Sequence, residues 1–202
     1  MSKEIKNFFH SQFDEHDLIL QRTKEELENN FINLVEICVK ALKKNKKLFF
    51  FGNGGSASDS QHLATELTVR FSKNRLAIPA LSLVTDTSAL TAIGNDLGFE
   101  KIFSRQIEAL GSEGDVAIGI STSGKSLNVI EGLKIAKKKK MKCIIFTGKN
   151  SKVFVKICDE IISIPAHNTS RIQEMHIMIG QMLCNAIEKK LNLAPFVKEE
   201  TK

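Results

Sequence analysis

A histidine and a glutamate four residues apart, His62 and Glu66, sit in the segment QHLATEL just behind a glycine-rich turn, GNGGSAS over 52–58. Residues at i and i+4 share one helix face, and an imidazole beside a carboxylate there suits metal ligation or paired acid–base work. On spacing alone, a hydrogen-bonded surface pair is the commoner outcome. Position shifts the balance, because the pair is expected within the first two helical turns after the loop, on the same crevice. A carboxylate held beside a sugar phosphate is what proton abstraction next to a carbonyl requires.

Two further loops share the character of the first. FFFGNGGSAS (49–58), IGISTSGKSL (118–127) and IIFTGKNS (144–151) each follow an apolar run and lead into a helical stretch. Loop amides and hydroxyls opening onto helix N-termini form anion sites, and phosphate is the usual occupant. A lone glycine loop is often only a turn, but three on one edge favour a phosphorylated ligand. The second loop also fits the nucleotide-binding pattern G-x-x-x-x-G-K-[ST] through Gly119, Gly124, Lys125 and Ser126. A nucleotide hydrolase needs an acidic residue at a neighbouring strand end to help hold Mg²⁺. No later strand supplies one, and Asp86 comes before the loop instead of after it. No nucleotide cofactor is expected.

These loops need a sheet to bring them together. Apolar runs at 47–51, 80–84, 116–120, 143–146 and 161–164 read as buried parallel strands. Helical stretches lie at 3–45, 56–71, 87–110, 126–140, 150–157 and 170–190. This alternation predicts an α/β three-layer sandwich with a five-stranded parallel sheet and right-handed crossovers. All strand C-termini then lie on one edge, outside which ligands bind. Residues 1–45 form an N-terminal helical extension, 46–195 the domain proper and 196–202 a tail. The helix at 172–187 carries Ile172, Met175, Ile177, Met178, Ile179, Met182, Leu183, Cys184 and Ala186, apolar nearly all round. Such a helix is buried on every side, which predicts a homo-oligomer. Of the polar residues interrupting it, His176 is expected to bond across a subunit interface, while Gln173 and Gln181 are candidates to line a site.

Composition bounds the rest. The chain has 202 residues, 42% of them hydrophobic and 26% charged, enough for a buried core and against disorder. No apolar run approaches the roughly 18 residues of a membrane span, and the start lacks a signal-peptide stretch. Cytoplasmic location is expected, with no membrane partner. Net charge is +6, but the excess lies in lysine clusters at 43–47 and 137–140, where helices end and lysines stay solvated. No direct nucleic-acid contact is expected. Cys38, Cys143, Cys158 and Cys184 form no C-x-x-C pair and read as reduced, buried thiols.

Four segments in order, FGNGGSASDSQHLATEL, DTSALTAIGND, GDVAIGISTSGKS and RIQEMH, resemble the sugar isomerase (SIS) domain and, among its members, the bacterial phosphoheptose isomerases. The resemblance covers about residues 15–190. It implies a flavodoxin- or Rossmann-like fold, a cytoplasmic homotetramer with sites at subunit interfaces, and a phosphorylated ketose or aldose as substrate. The implied reaction converts sedoheptulose 7-phosphate to D-glycero-D-manno-heptose 7-phosphate, a precursor for lipopolysaccharide or capsule. It places substrate against Asn53, Gly54, Gly55, Ser56, Asn95, Asp96 and Gln173, and phosphate in Ser121, Thr122, Ser123 and Ser126. Glu66 is the implied base, working through an enediol. One zinc per subunit is implied on His62, Glu66, Gln173 and the position of Gln181, where the family carries a histidine that also serves as second acid–base group. Glutamine transfers no proton near neutral pH and is a poorer zinc ligand than imidazole. The alternative is a non-catalytic SIS-fold protein that associates with the replication initiator DnaA, or a sugar-phosphate sensor. Retention of Glu66, and Asn192 in place of that relative's aromatic, favour the isomerase.

Overall fold

The structure, a computed structural model, describes residues 2–149 and 151–196. Five strands, β1 (Leu48–Gly52), β2 (Ala80–Ser82), β3 (Val116–Ser121), β4 (Lys142–Thr147) and β5 (Glu160–Ser163), form one all-parallel sheet in the order β2-β1-β3-β4-β5. Seven helices accompany them: α1 (Ser2–Glu26), α2 (Glu28–Leu42), α3 (Gly55–Thr68), α4 (Thr87–Asp96), α5 (Ser104–Leu110), α6 (Leu127–Lys138) and α7 (Thr169–Leu191).

Strand alternation divides the core in two. Leu48, Phe50, Val116, Ile118, Ile120, Ile144 and Phe146 pack with α2, α3 and α7 on one face of the sheet. Phe49, Phe51, Ala117, Cys143 and Ile145 pack with α5 and α6 on the other. Burial on both faces explains why these strands read as unbroken apolar runs. The three consecutive phenylalanines of β1 are fully buried; truncating one to alanine costs about 3–5 kcal/mol. The expected three-layer sandwich is thus observed. The order is flavodoxin-like: strands are added to one side of β1 and then, from β3 on, to the other, and the boundary between β1 and β3 is the switch point where such sheets bind ligands.

Three expectations need correction. The helix expected over 87–110 is two helices and a 3-10 turn (Phe99–Lys101), because Gly98 turns to φ 98° and ends the first. The helix expected over 150–157 is only a 3-10 turn at Lys152–Phe154, with Asn150 outside the described residues. Cys158 is half-buried, unlike the other three cysteines; all four are free. Of the expected tail, 197–202 lies outside the described residues.

Candidate active site

The segments after β1 and β3 build the rim. Beyond Gly52 the chain turns through Gly54 at φ 55°, and α3 starts at once. A Cβ at Gly52 would lie 2.7 Å from both the Ile120 carbonyl oxygen and Ser56 Cβ, so only glycine lets the two strand ends and Ser56 approach this closely. Across the switch point, Gly124 at φ 65° donates its N–H to the Ser121 carbonyl at 3.1 Å and closes a tight turn. Within it the Ser121 hydroxyl donates to Ser126 Oγ at 3.0 Å, and the Lys125 N–H to Ser123 Oγ at 3.2 Å. The Thr122 carbonyl accepts the Gly148 N–H at 3.1 Å, tying in the β4 loop. A hydroxyl-rich turn opening onto α6 suits a phosphate. Of the residues that matched or bordered the nucleotide-binding pattern, Gly119 lies inside β3, paired with Phe51 and Ile145, and Asp86 caps α4 by accepting the Ala89 N–H.

The second component lies along the seam between α3 and α7, which run parallel. Gln173 rests against Gly55, where a Cβ would come within 2.3 Å of its amide nitrogen; lower down, Gly180 makes room for Leu63. The next α7 side chain, Gln181, places its amide nitrogen 3.1 Å from His62 Nε2, and the same ring nitrogen is 3.0 Å from Glu66 Oε1. A carboxylate accepts and an amide N–H donates, so the two ask for opposite protonation of one nitrogen; turning the Gln181 amide end for end resolves this. The His62 side chain is 50% exposed and that of Glu66 21%, so solvent and ligand reach both. One turn earlier, Asp59 is held above the usual carboxylate range by burial, with His62 opposing the shift.

The spacing of His62 and Glu66 therefore gives the expected contact, but not the expected depth. With α3 starting at Gly55, they fall in its third and fourth turns, about 10 and 16 Å along the axis from the rim loop. Asn95 and Asp96 stand at the exposed end of α4, where the Asn95 amide donates to Asp96 at 2.7 Å. His176 does not reach out to a neighbouring subunit. It is buried against Phe146 and bonds the Thr147 carbonyl at 3.2 Å through Nε2. Burial pushes this imidazole down to about 4, against the opposing effect of the carbonyl.

The expected zinc ligands form one imidazole, one carboxylate and two amides. Among the described residues no group of three or more His, Cys, Asp or Glu could hold a metal ion. The His62 nitrogen nearest the cluster is already engaged by Glu66 and Gln181. Amide oxygens are weak partners for zinc, and this donor set does not fit a structural or tightly held zinc centre.

Two groups escaped the sequence reading. Glu188 of α7 accepts from the backbone N–H of Phe71, Ser72 and Lys73, the Ser72 hydroxyl and Arg75 Nε, while Arg75 donates to the carbonyls of Leu67, Leu76 and Glu66. This clamp fixes the end of the helix that carries Glu66. The second is Asn128, paired with Asn53. Neither belongs to a spacing pattern; the nearest signal is a charged residue inside an otherwise apolar helix face.

A SIS domain model matches residues 12–148 of the chain. The phosphoheptose isomerase of a Nitratiruptor species is 50% identical over 175 residues, 87% of this chain and 94% of that protein. Phosphoheptose isomerase 1 of Campylobacter jejuni is 49% identical over 183 residues, 91% of this chain and 98% of its own. The solved phosphoheptose isomerase GmhA of Neisseria gonorrhoeae superposes with a TM-score of 0.86 at 39% identity, covering 92% of this chain and 99% of that one.

Proposed function

The chain belongs to the SIS-domain family and, within it, to the phosphoheptose isomerases, and from that premise we propose that it interconverts sedoheptulose 7-phosphate and D-glycero-D-manno-heptose 7-phosphate, with Glu66 as the base. The observation that carries this assignment is the accessible Glu66 carboxylate in contact with His62, along a seam that starts at the hydroxyl-rich rim. Ser121, Thr122, Ser123 and Ser126 take the phosphate; Asn53, Gly54, Gly55, Ser56, Asn95, Asp96 and Gln173 take the sugar.

Glu66 removes a proton from C1 of the ketose, and the C–H electron pair forms the C1–C2 double bond while the carbonyl oxygen becomes the second enediol oxygen. The carboxylic acid so formed returns a proton to C2, giving the aldose. The hydroxyl proton moves from O1 to O2 by way of Glu66 or water, because Gln181 provides no imidazole for that step. A positioned acid–base group is worth ~100- to 10,000-fold, so turnover is slower than in a site with histidine at 181. No step passes through zinc. The non-catalytic DnaA-associating alternative is not favoured, since the relatives named above are isomerases and Glu66 keeps its partner.

A cytoplasmic homotetramer with sites at subunit interfaces, feeding lipopolysaccharide or capsule synthesis, completes the proposal. Association between copies, the first part of this, is supported by an apolar groove of about 630 Å³ between α1, α2 and α7. Met178 and Met182 in that groove, and Phe8, Phe9 and Phe13 on α1, are exposed in the single chain. Among the described residues no helix is long and apolar enough to cross a membrane.

The test is NMR of sedoheptulose 7-phosphate with the purified protein, with and without EDTA, together with metal analysis of the protein. Heptose 7-phosphate should appear, unaffected by EDTA. Binding without turnover would contradict the isomerase assignment, and loss of activity with EDTA would contradict the metal-free account.

A further inference from the structure

The two rim loops meet through one pair of side chains. Asn53, directly after β1, and Asn128, in the first turn of α6, exchange two hydrogen bonds: Asn53 Nδ2 donates to Asn128 Oδ1 at 2.9 Å, and Asn128 Nδ2 donates to Asn53 Oδ1 at 2.8 Å. Asn128 is only 3% exposed. Its oxygen also accepts the backbone N–H of Val129 at 2.9 Å. A backbone N–H can only donate, so this third bond fixes which end of the Asn128 amide is oxygen. That choice in turn fixes the Asn53 amide, whose nitrogen must face the Asn128 oxygen. An amide carries two N–H donors and two carbonyl lone pairs. The pair takes one of each from Asn53 and leaves one of each for a ligand.

We propose that Asn128 is a positioning residue that sets the Asn53 amide for the sugar, acting from the helix that follows the phosphate turn and so joining sugar recognition to the phosphate site. The proposal rests on the functional reading above, in which Asn53 touches the sugar and the Ser121–Ser126 turn holds the phosphate. Asn128 itself touches no substrate. In Asn128→Asp the side chain keeps its shape and still accepts from Val129 and Asn53, but its second oxygen opposes the Asn53 oxygen, lone pair against lone pair. The Asn53 amide then turns away from its set orientation.

Calorimetry with sedoheptulose 7-phosphate and with inorganic phosphate, on the native chain, Asn128→Asp, Asn53→Ala and the double variant, separates this from a general loss of loop structure. Asn128→Asp should weaken the sugar phosphate about 10-fold more than inorganic phosphate, the loss of one or two ligand hydrogen bonds, the inorganic ion reporting the effect of the added charge alone. In the Asn53→Ala background, Asn128→Asp should cost the sugar phosphate no more than it costs inorganic phosphate, because residues acting through one another are not additive. Additive losses, or an equal loss for inorganic phosphate, would overturn the proposal. If Asn128→Asp does not fold, Asn128→Ala takes its place with the same expectations. A native chain that binds sedoheptulose 7-phosphate no more tightly than inorganic phosphate would overturn the functional reading and this proposal with it, and the native measurement alone shows that.

Discussion

Two glutamates lie along the same α3–α7 seam and have opposite surroundings. Glu188 is 2% exposed and accepts five hydrogen bonds, from three backbone amides, a hydroxyl and a guanidinium. Burial alone would raise its carboxyl, but the bonds from Ser72, Lys73 and Phe71 outweigh burial and pull it down to about 2. Glu66 has an imidazole as its side-chain partner and stays open to solvent. A carboxylate whose lone pairs are all engaged holds structure; one with capacity left can take a proton from carbon. Arg75 joins the two, bonding the Glu188 carboxylate and the Glu66 carbonyl. The inert glutamate thereby holds the reactive one's helix in place.

Substitutions should separate the two roles. Glu66→Gln is expected to cut turnover by up to about 10,000-fold, with binding of sedoheptulose 7-phosphate and the melting temperature little changed; steady-state kinetics and calorimetry check this. Glu188→Ala should do the reverse, costing about 3–5 kcal/mol of stability by leaving Arg75 buried without its partner, measured by urea unfolding. A third test uses His176, whose folded-state value near 4 lies below the ordinary 6.5. Its contribution is therefore present above pH 6.5 and is lost as pH falls towards 4, on the order of 3 kcal/mol in all. Unfolding free energy should decline across that window, and His176→Leu should flatten the decline. Glu188 adds its own loss only lower, between its ordinary value of 4.5 and about 2. The smallest effect expected is that of Gln181→His: a gain in turnover of about 100-fold and bound zinc detectable by elemental analysis. No gain in either would mean that the chemistry around His62 has been rebuilt for glutamine.

The sheet was legible because its central strands β1, β3 and β4, buried on both faces, leave unbroken apolar runs with glycine-rich turns at their ends. The His62–Glu66 contact was legible because four residues is one helical turn. Its depth could be counted as well: the helix, expected from 56, begins at Gly55, and at 3.6 residues per turn that start puts Glu66 in the fourth turn and not within the first two. Gly98 ends a helix that reads as continuous, a signal present in the sequence but weak beside the apolar spacing around it. The Arg75–Glu188 clamp and the Asn53–Asn128 pair join residues 113 and 75 positions apart. Only the closed fold brings such partners together, and no local pattern announces them. His176 reads as reaching outward because a polar residue on an apolar helix needs a partner; the partner is the Thr147 carbonyl beneath it.

The most direct test of Glu66 as the carbon base follows isotope in the product. With the native chain in D₂O, sedoheptulose 7-phosphate should yield heptose 7-phosphate carrying deuterium at C2, because the proton taken by an accessible carboxylate exchanges with solvent before it is returned. Glu66→Gln should give neither product nor label while still binding the substrate. Labelled product from Glu66→Gln at a native rate would contradict the account, since another group would then be moving the proton.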